Sequence, residues 1–318
     1  MSSCEAVHRV AVAAEDEQRA YPTSTSVPDT SACSSVATGP DEVEIQIISD
    51  LHLEFGHQYA DYIIVPTAPY LVLAGDVGSL AEYEHLLSFL RRHIMSYKRI
   101  FYVLGNHEFH GTSSDAGIVS ARILESEACL NGRVTILHRD RVDLEDADIT
   151  LLGCTLWSHI PPSARHAVEN KVKDYRHIDG WSVDVHNAQH VQDVEWLKSQ
   201  LHKIHIEDPS RKVMVVTHHA PSNQGTSHPA HTQNSWTSAF STALLEGEGA
   251  TWSGISNVRY WIFGHTHWTT EFDIVGLTVL SNQRGYRMSG SIDSSSNGDG
   301  HVIASQKHTF DQSKTLRL

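Results

Sequence analysis

VLGNHEFH, residues 103–110, leaves an apolar run, breaks on a glycine and then presents an amide, an imidazole and a carboxylate in succession. The residues before it, Arg99-Ile100-Phe101-Tyr102-Val103-Leu104, have the near-continuous apolar character of a strand covered on both faces. A strand that only filled a core would finish in turn residues. This one delivers Asn106, His107 and Glu108 to a single place, and the pattern recurs along the chain. EIQIIS (44–49) runs into Asp50-Leu51-His52 and PYLVLAG (69–75) into Asp76. KVMVVT (212–217) runs into His218-His219, and VRYWIFG (258–264) into His265-Thr266-His267.

Further strand patterns occur at 133–138, 149–156, 271–275 and 277–281. Between the strands, residues 80–97, 116–130 and 184–205 carry apolar positions at helical spacing. In the last of these, Val185, Ala188, Val191, Val194, Leu197, Leu201 and Ile204 form one stripe, with Ser182 or Asp184 as N-cap. Strands alternating with helices predict an α/β fold, and the late strand cluster predicts a second sheet packed on the first. In such folds the carboxyl ends of parallel strands share an edge where ligands sit. Five chain-distant segments are therefore expected to converge there.

The residue types they bring are informative. Carboxylates, several imidazoles and one amide, with no thiolate, suit Mn, Fe, Zn or Ni. The donors are too many for one tetrahedral ion, and Asp76, alone in its segment, is the natural bridge between two. Spacing alone does not decide how Asp50 and His52, or His265 and His267, are shared between ions. Gly75, Gly105 and Gly264 precede donor residues, where a missing Cβ permits a sharp turn and close backbone approach.

The rest of the chain sets limits. The formal charge of −14 disfavours long nucleic acid as a partner, with no basic run to offset it. The start lacks the basic-then-apolar pattern of a secretory signal, no stretch reaches membrane-span length, and four scattered cysteines are not a disulfide framework. These features predict a cytoplasmic protein. Residues 1–41, rich in Ser, Thr, Ala and acids, read as a disordered tail. A catalytic domain is expected over 42–287, with 288–318 a Ser/Gly-rich loop and C-terminal segment peripheral to the same domain.

In order, Asp50-x-His52, Gly75-Asp76, Gly105-Asn106-His107-Glu108, His218 and Gly264-His265-x-His267 resemble the five-block signature of the calcineurin-like metallophosphoesterases. The resemblance spans roughly residues 44–285. It implies a four-layer α/β/β/α sandwich of two mixed sheets flanked by helices, with a dinuclear metal site at the sheet edge. Asp50, His52 and His267 would hold one ion, and Asn106, His218 and His265 the other, with Asp76 between them. A metal-bridging hydroxide would attack phosphorus, and His107, not a ligand, would act as acid and transition-state stabiliser. Glu108 is expected behind His107, orienting it.

Asn106, His107, His219, Arg176 and Arg284 are candidate substrate contacts, and His228, His231 and Trp157 candidate neighbours of the pocket. The expected activity is hydrolysis of a small-molecule phosphodiester or phosphomonoester. GDVGSL and VLGNHE lack the arginines that phosphoprotein phosphatases of the superfamily carry at these places, which argues against that class. The acidic charge argues against a nuclease. The alternatives are hydrolysis of a non-phosphate small molecule by the same centre and a non-catalytic metal-binding scaffold.

Overall fold

The computed structural model describes residues 43–144, 147–247, 251–287 and 309–318. The tail expected over 1–41 and the Ser/Gly-rich run up to residue 308 lie outside the described residues.

The first half of the chain runs β1 (Glu44–Ile48), β2 (Tyr70–Ala74), α1 (Tyr83–His93), β3 (Arg99–Val103), α2 (Ser114–Ser126), β4 (Val134–Leu137) and β5 (Asp140–Leu144). The second half runs β6 (Ile149–Cys154), α3 (Arg165–Lys171), α4 (Asp174–His177), α5 (Val183–Glu207), β7 (Lys212–Thr217), β8 (Val258–Phe263), β9 (Thr270–Ile274), β10 (Leu277–Ser281) and β11 (Thr315–Arg317). One sheet has the order β11-β1-β2-β3-β4 and the other β5-β6-β7-β8-β10-β9. Both are mixed. β1 to β4 are parallel with β11 antiparallel at the edge, while β6, β7, β8 and β10 are parallel with β5 and β9 antiparallel at the two edges.

The period of two explains the layering. In β2 and β3, Tyr70, Val72, Ala74, Phe101 and Val103 face the second sheet, where they meet Leu151, Met214, Val216, Ile262 and Leu280. Their neighbours Leu71, Leu73, Ile100 and Tyr102 point the other way, onto Leu86, Phe89 and Leu90 of α1 and Ala121 and Leu124 of α2. On the far side of the second sheet, Val213, Val215, Trp261 and Phe263 pack against Leu197, Leu201 and Ile204 of α5. Each fully buried aliphatic or aromatic side chain contributes about 1.5–3 kcal/mol. Strands buried on both faces thus carry the unbroken apolar runs seen in the sequence.

Three features differ from the periodicity. β5 is a polar edge strand, in which Arg141 pairs with Asp143 and Glu207, and charged edges resist further pairing. β11 closes the other sheet, and its approach is fixed by Asn282, whose Nδ2 donates to Asp311 O at 2.8 Å while its Oδ1 accepts from Asp311 N at 2.9 Å. In α5, Ser182 is the N-cap, its side chain accepting from Val185 N. The expected stripe holds only in the C-terminal half of this helix: Val185 and Val191 are exposed, and His186, His190 and Asp193 are buried instead. Each has a partner that makes burial affordable: His186 Nε2 accepts from Ser158 N, His190 Nδ1 donates to Leu156 O, and Asp193 pairs with Arg139 at 2.8 Å.

Candidate functional site

Strands β1, β2, β3, β7 and β8 end at one edge, and the segments that follow them are stitched together there. Asp50 N donates to Gly75 O and His52 N to Asp76 O, at 3.0 and 2.9 Å, and Gly264 N donates to His218 O at 2.9 Å. Asp50, His52, Asp76, His265 and His267 all have left-handed backbones, with φ of 55°, 49°, 52°, 71° and 50°. Such residues cost about 1–3 kcal/mol each and persist only where the surroundings over-determine them. The turns aim the side chains inward. A Cβ on Gly75 would stand 2.3 Å from His218 Nδ1 and one on Gly105 2.2 Å from Asp76 Oδ1, so the backbone approach needs glycine at both.

Asp50, His52 and His267 form one set of donors, and Asp76, His218 and His265 another; within each, the ligand-capable atoms lie within 4.8 Å of one another and could hold a metal ion. A third set of the same kind, His52, Glu54 and His107, overlaps the first and is bound up in its own contact, Glu54 Oε1 to His107 Nδ1 at 2.8 Å. His52 Nε2 stands 3.7 Å from Asp76 Oδ2, so the first two sets adjoin. The geometry answers what spacing left open: Asp50 and His52 belong to one set, while His265 and His267 divide between the two.

The chemistry of the donor set fits a cation. His218 Nδ1 donates to Ala74 O at 2.9 Å, leaving Nε2 to face Asn106 Oδ1 at 3.0 Å and Asp76 Oδ1 at 3.2 Å. His52 Nε2 and His267 Nε2 face each other at 2.8 Å, and Asp50 Oδ2 is buried with no hydrogen-bond partner. A cation satisfies lone pairs that converge in this way. The burial of His265, with the His218 charge beside it, lowers its pKa to about 3, so it is a neutral imidazole available to ligate. Burial pushes the carboxyl of Asp76 up, but the His218 and His107 charges outweigh it and hold Asp76 well below the usual range.

His107 lines the pocket beside the two sets. Its Nδ1 meets Glu54 Oε1 at 2.8 Å, and its Nε2 meets the Tyr286 hydroxyl at 3.0 Å. Burial disfavours its charged form, yet the charges of Asp76 and Glu54 prevail and raise it to about 9. Glu54, also 3.3 Å from His52 Nδ1, is driven against the effect of burial to about 2 by these two histidines.

Several expectations are corrected. Glu108 does not support His107. Its buried carboxylate accepts from the backbone N–H of Asp76, Val77, Gly78 and Gly105 and from the Tyr102 hydroxyl, bracing the turns after β2 and β3. His219 is fully buried against His265, its ring tilted 32° from the His265 ring with centroids 4.1 Å apart, and does not line the pocket. Arg176 is exposed, binds Asn170 O and does not line the pocket. Arg284 donates to Leu51 O and Gln58 Oε1 and sits over the Tyr62 ring, also away from the pocket. Trp157 packs beneath the site on Trp181 and His219. His231 lines the pocket, and His228 Nδ1 accepts from Ala230 N.

Residues that the sequence reading missed also sit here. Glu54 follows His52 by two positions in DLHLE, a spacing that was a usable signal. Asp174 fixes the Asn106 amide by accepting from Nδ2 at 2.8 Å, which aims Oδ1 at His218, and it binds His110 at 3.0 Å. Tyr286 stacks on His52 at 4.2 Å. Nothing local in the sequence marks either of these two. A pocket of ≈ 420 Å³ opens over the site, walled by Lys171, Val172, Lys173, His231, Asn234, Trp236, Phe240 and Tyr286, with Asp76, Asn106, His107, His265 and His267 at its floor.

A family model described as calcineurin-like phosphoesterase matches residues 44–269. An uncharacterised protein, L509, of Acanthamoeba polyphaga mimivirus is 26% identical over 272 residues, covering 76% of this chain and 91% of the relative. Among solved structures, the phosphopantetheinyl hydrolase of Mycobacterium tuberculosis superposes with a TM-score of 0.59 at 17% identity, covering 78% of this chain and 91% of that one. Its likeness is one of fold.

Proposed function

The chain belongs to the calcineurin-like phosphoesterases, and from that premise we propose that it is a two-metal hydrolase of a small organic phosphoester. The observation that carries this reading is the adjacency of two donor sets that share an edge at Asp76. In it, Asp50, His52 and His267 would hold one divalent cation and Asn106, His218 and His265 the other, with Asp76 placed between the two sets. Two such cations, when bound, supply Lewis-acid polarisation of the phosphoryl group and lower the pKa of a coordinated water from about 15.7 towards 7.

The chain's own residues do the rest. Glu54 accepts from His107 Nδ1 and so directs Nε2 into the pocket. The same carboxylate favours the protonated form of the ring. His107 then gives its Nε2 proton to the departing oxygen, a transfer worth roughly 10²–10⁴ in rate. Tyr286, now bonded to that nitrogen, yields the place to substrate. Glu108 and Asp174 keep the floor rigid: one clamps the turn that carries Asp76, and the other fixes the Asn106 amide. A pocket of ≈ 420 Å³ and a formal charge of −14 favour a small molecule over long nucleic acid as substrate.

The test is turnover of bis(4-nitrophenyl) phosphate and 4-nitrophenyl phosphate by protein stripped with chelator and then given Mn²⁺. The reading requires hydrolysis that depends on Mn²⁺ and is lost in Asp76→Asn. Absence of turnover on both esters after reconstitution would remove it.

A further inference from the structure

One wall of the pocket is built from the run Lys171-Val172-Lys173-Asp174, and its alternation is the starting observation. All four line the pocket, but Val172 and Asp174 are buried inward, whereas Lys171 and Lys173 are exposed at its rim. Both inward residues are anchored. Val172 belongs to a buried cluster with Ile160, Val168 and Ala239, against which Trp236 and Phe240 pack. Asp174 accepts from Asn106 at 2.8 Å, which ties the lysine-bearing rim to the floor of the site. The rim is thus held in fixed relation to the reacting centre.

The two ammonium groups stand over aromatic walls, Lys171 Nζ 6.0 Å from the Trp236 ring centre and Lys173 Nζ 5.5 Å from that of Tyr286. The acids nearest in sequence are taken elsewhere, Glu169 by Arg165 at 3.6 Å and Asp174 by His110 at 3.0 Å. Phe240 stacks on His265 at 4.6 Å, so the aromatic wall reaches from the rim down to the floor. In a chain of formal charge −14, a double positive charge at the mouth of the pocket favours an anion there.

We infer that Lys171 and Lys173 form an anion subsite for a second charged group on the substrate. The substrate class is then an organic phosphoester with a flat ring lying along Trp236 and Phe240 and another anionic group remote from the scissile phosphorus. This inference rests on the phosphoesterase reading for its floor, and its test separates the two. The probes are 2-naphthyl phosphate and its 6-sulfonate derivative, whose leaving groups are similar and whose reach differs by one anion.

Wild type is expected to prefer the sulfonated ester by roughly tenfold in kcat/KM, as two partly screened ion contacts provide, with the preference shrinking as salt rises. The double variant Lys171→Ala/Lys173→Ala should bring the ratio of the two esters to near one, and Lys171→Arg/Lys173→Arg should keep it near the wild-type value. Binding of both esters to metal-free protein, read by tryptophan fluorescence, should show the same ranking. A ratio near one in wild type, or a preference that survives the double alanine change, overturns the subsite. Absence of turnover on both naphthyl esters and on bis(4-nitrophenyl) phosphate, with the binding preference intact and lost in the alanine variant, strikes the phosphoesterase reading and leaves the subsite standing.

Discussion

Replacing Glu54 with glutamine tests how the acid is held. The change keeps the size of the side chain and removes its charge, where Oε1 stands 2.8 Å from His107 Nδ1 and 3.3 Å from His52 Nδ1. A buried hydrogen bond to a charged group is worth about 1.5–3 kcal/mol. If His107 must carry its proton in the transition state, kcat should fall about 10- to 150-fold for an ester with an alkoxide leaving group. A 4-nitrophenolate needs no proton to depart, so that ester should lose much less.

The pH profile carries the same information. His107 is raised from its ordinary 6.5 to about 9, against burial, by Asp76 and Glu54. Because the folded value lies above the unfolded one, its charged form adds stability that is complete below 6.5 and is lost as pH rises through about 9. Activity that uses that proton declines in the same direction. In Glu54→Gln the alkaline limb of kcat for the alkyl ester, measured at saturating Mn²⁺, should move toward 6.5, because the ring loses one of the carboxylates that raise it. An equal loss on both esters with an unmoved limb would refute the assignment of Glu54 as the support of His107.

Three further outcomes follow from the geometry. His107→Ala should cut turnover of the alkyl ester by roughly 10²-fold or more with metal content retained, whereas Asp76→Ala should lose both; hydrolysis rates beside metal analysis decide it. Gly105→Ala should abolish metal uptake, because its Cβ would fall 2.2 Å from Asp76 Oδ1, and calorimetric titration with Mn²⁺ reads this directly. Glu108→Ala strands four backbone donors and the Tyr102 hydroxyl in a buried site. It should cost about 3–5 kcal/mol and lower Tm by about 10 °C or more, where a merely local role would leave Tm unchanged.

What the sequence made legible, and what it hid, follows from what each residue must do. Strands buried on both faces cannot conceal their apolar runs, and polar donor residues where such a run stops are a local signal. Asp50, His52 and His218 stand out in that way, and Asp76, Asn106, His265 and His267 do so with a glycine at the break as well. β5 and β11 escaped because edge strands need no apolar alternation, and the N-terminal half of α5 escaped because His186, His190 and Asp193 are buried through partners distant in sequence. Asp174 and Tyr286 act through contacts made only after folding, 68 residues from Asn106 and 179 from His107. Arg176 and Arg284 show the converse: a guanidinium marks a phosphate site only when its fork is not already engaged by carbonyls of the fold, as those of Leu51 and Asn170 engage these.

The proposed activity requires seven side chains at one sheet edge to hold a pair of cations. Metal-stripped protein titrated with Mn²⁺ and desalted should carry two ions per chain by mass spectrometry, with anomalous scattering placing one beside Asp50, His52 and His267 and the other beside Asn106, His218 and His265. A single ion at saturation, or none, would contradict it.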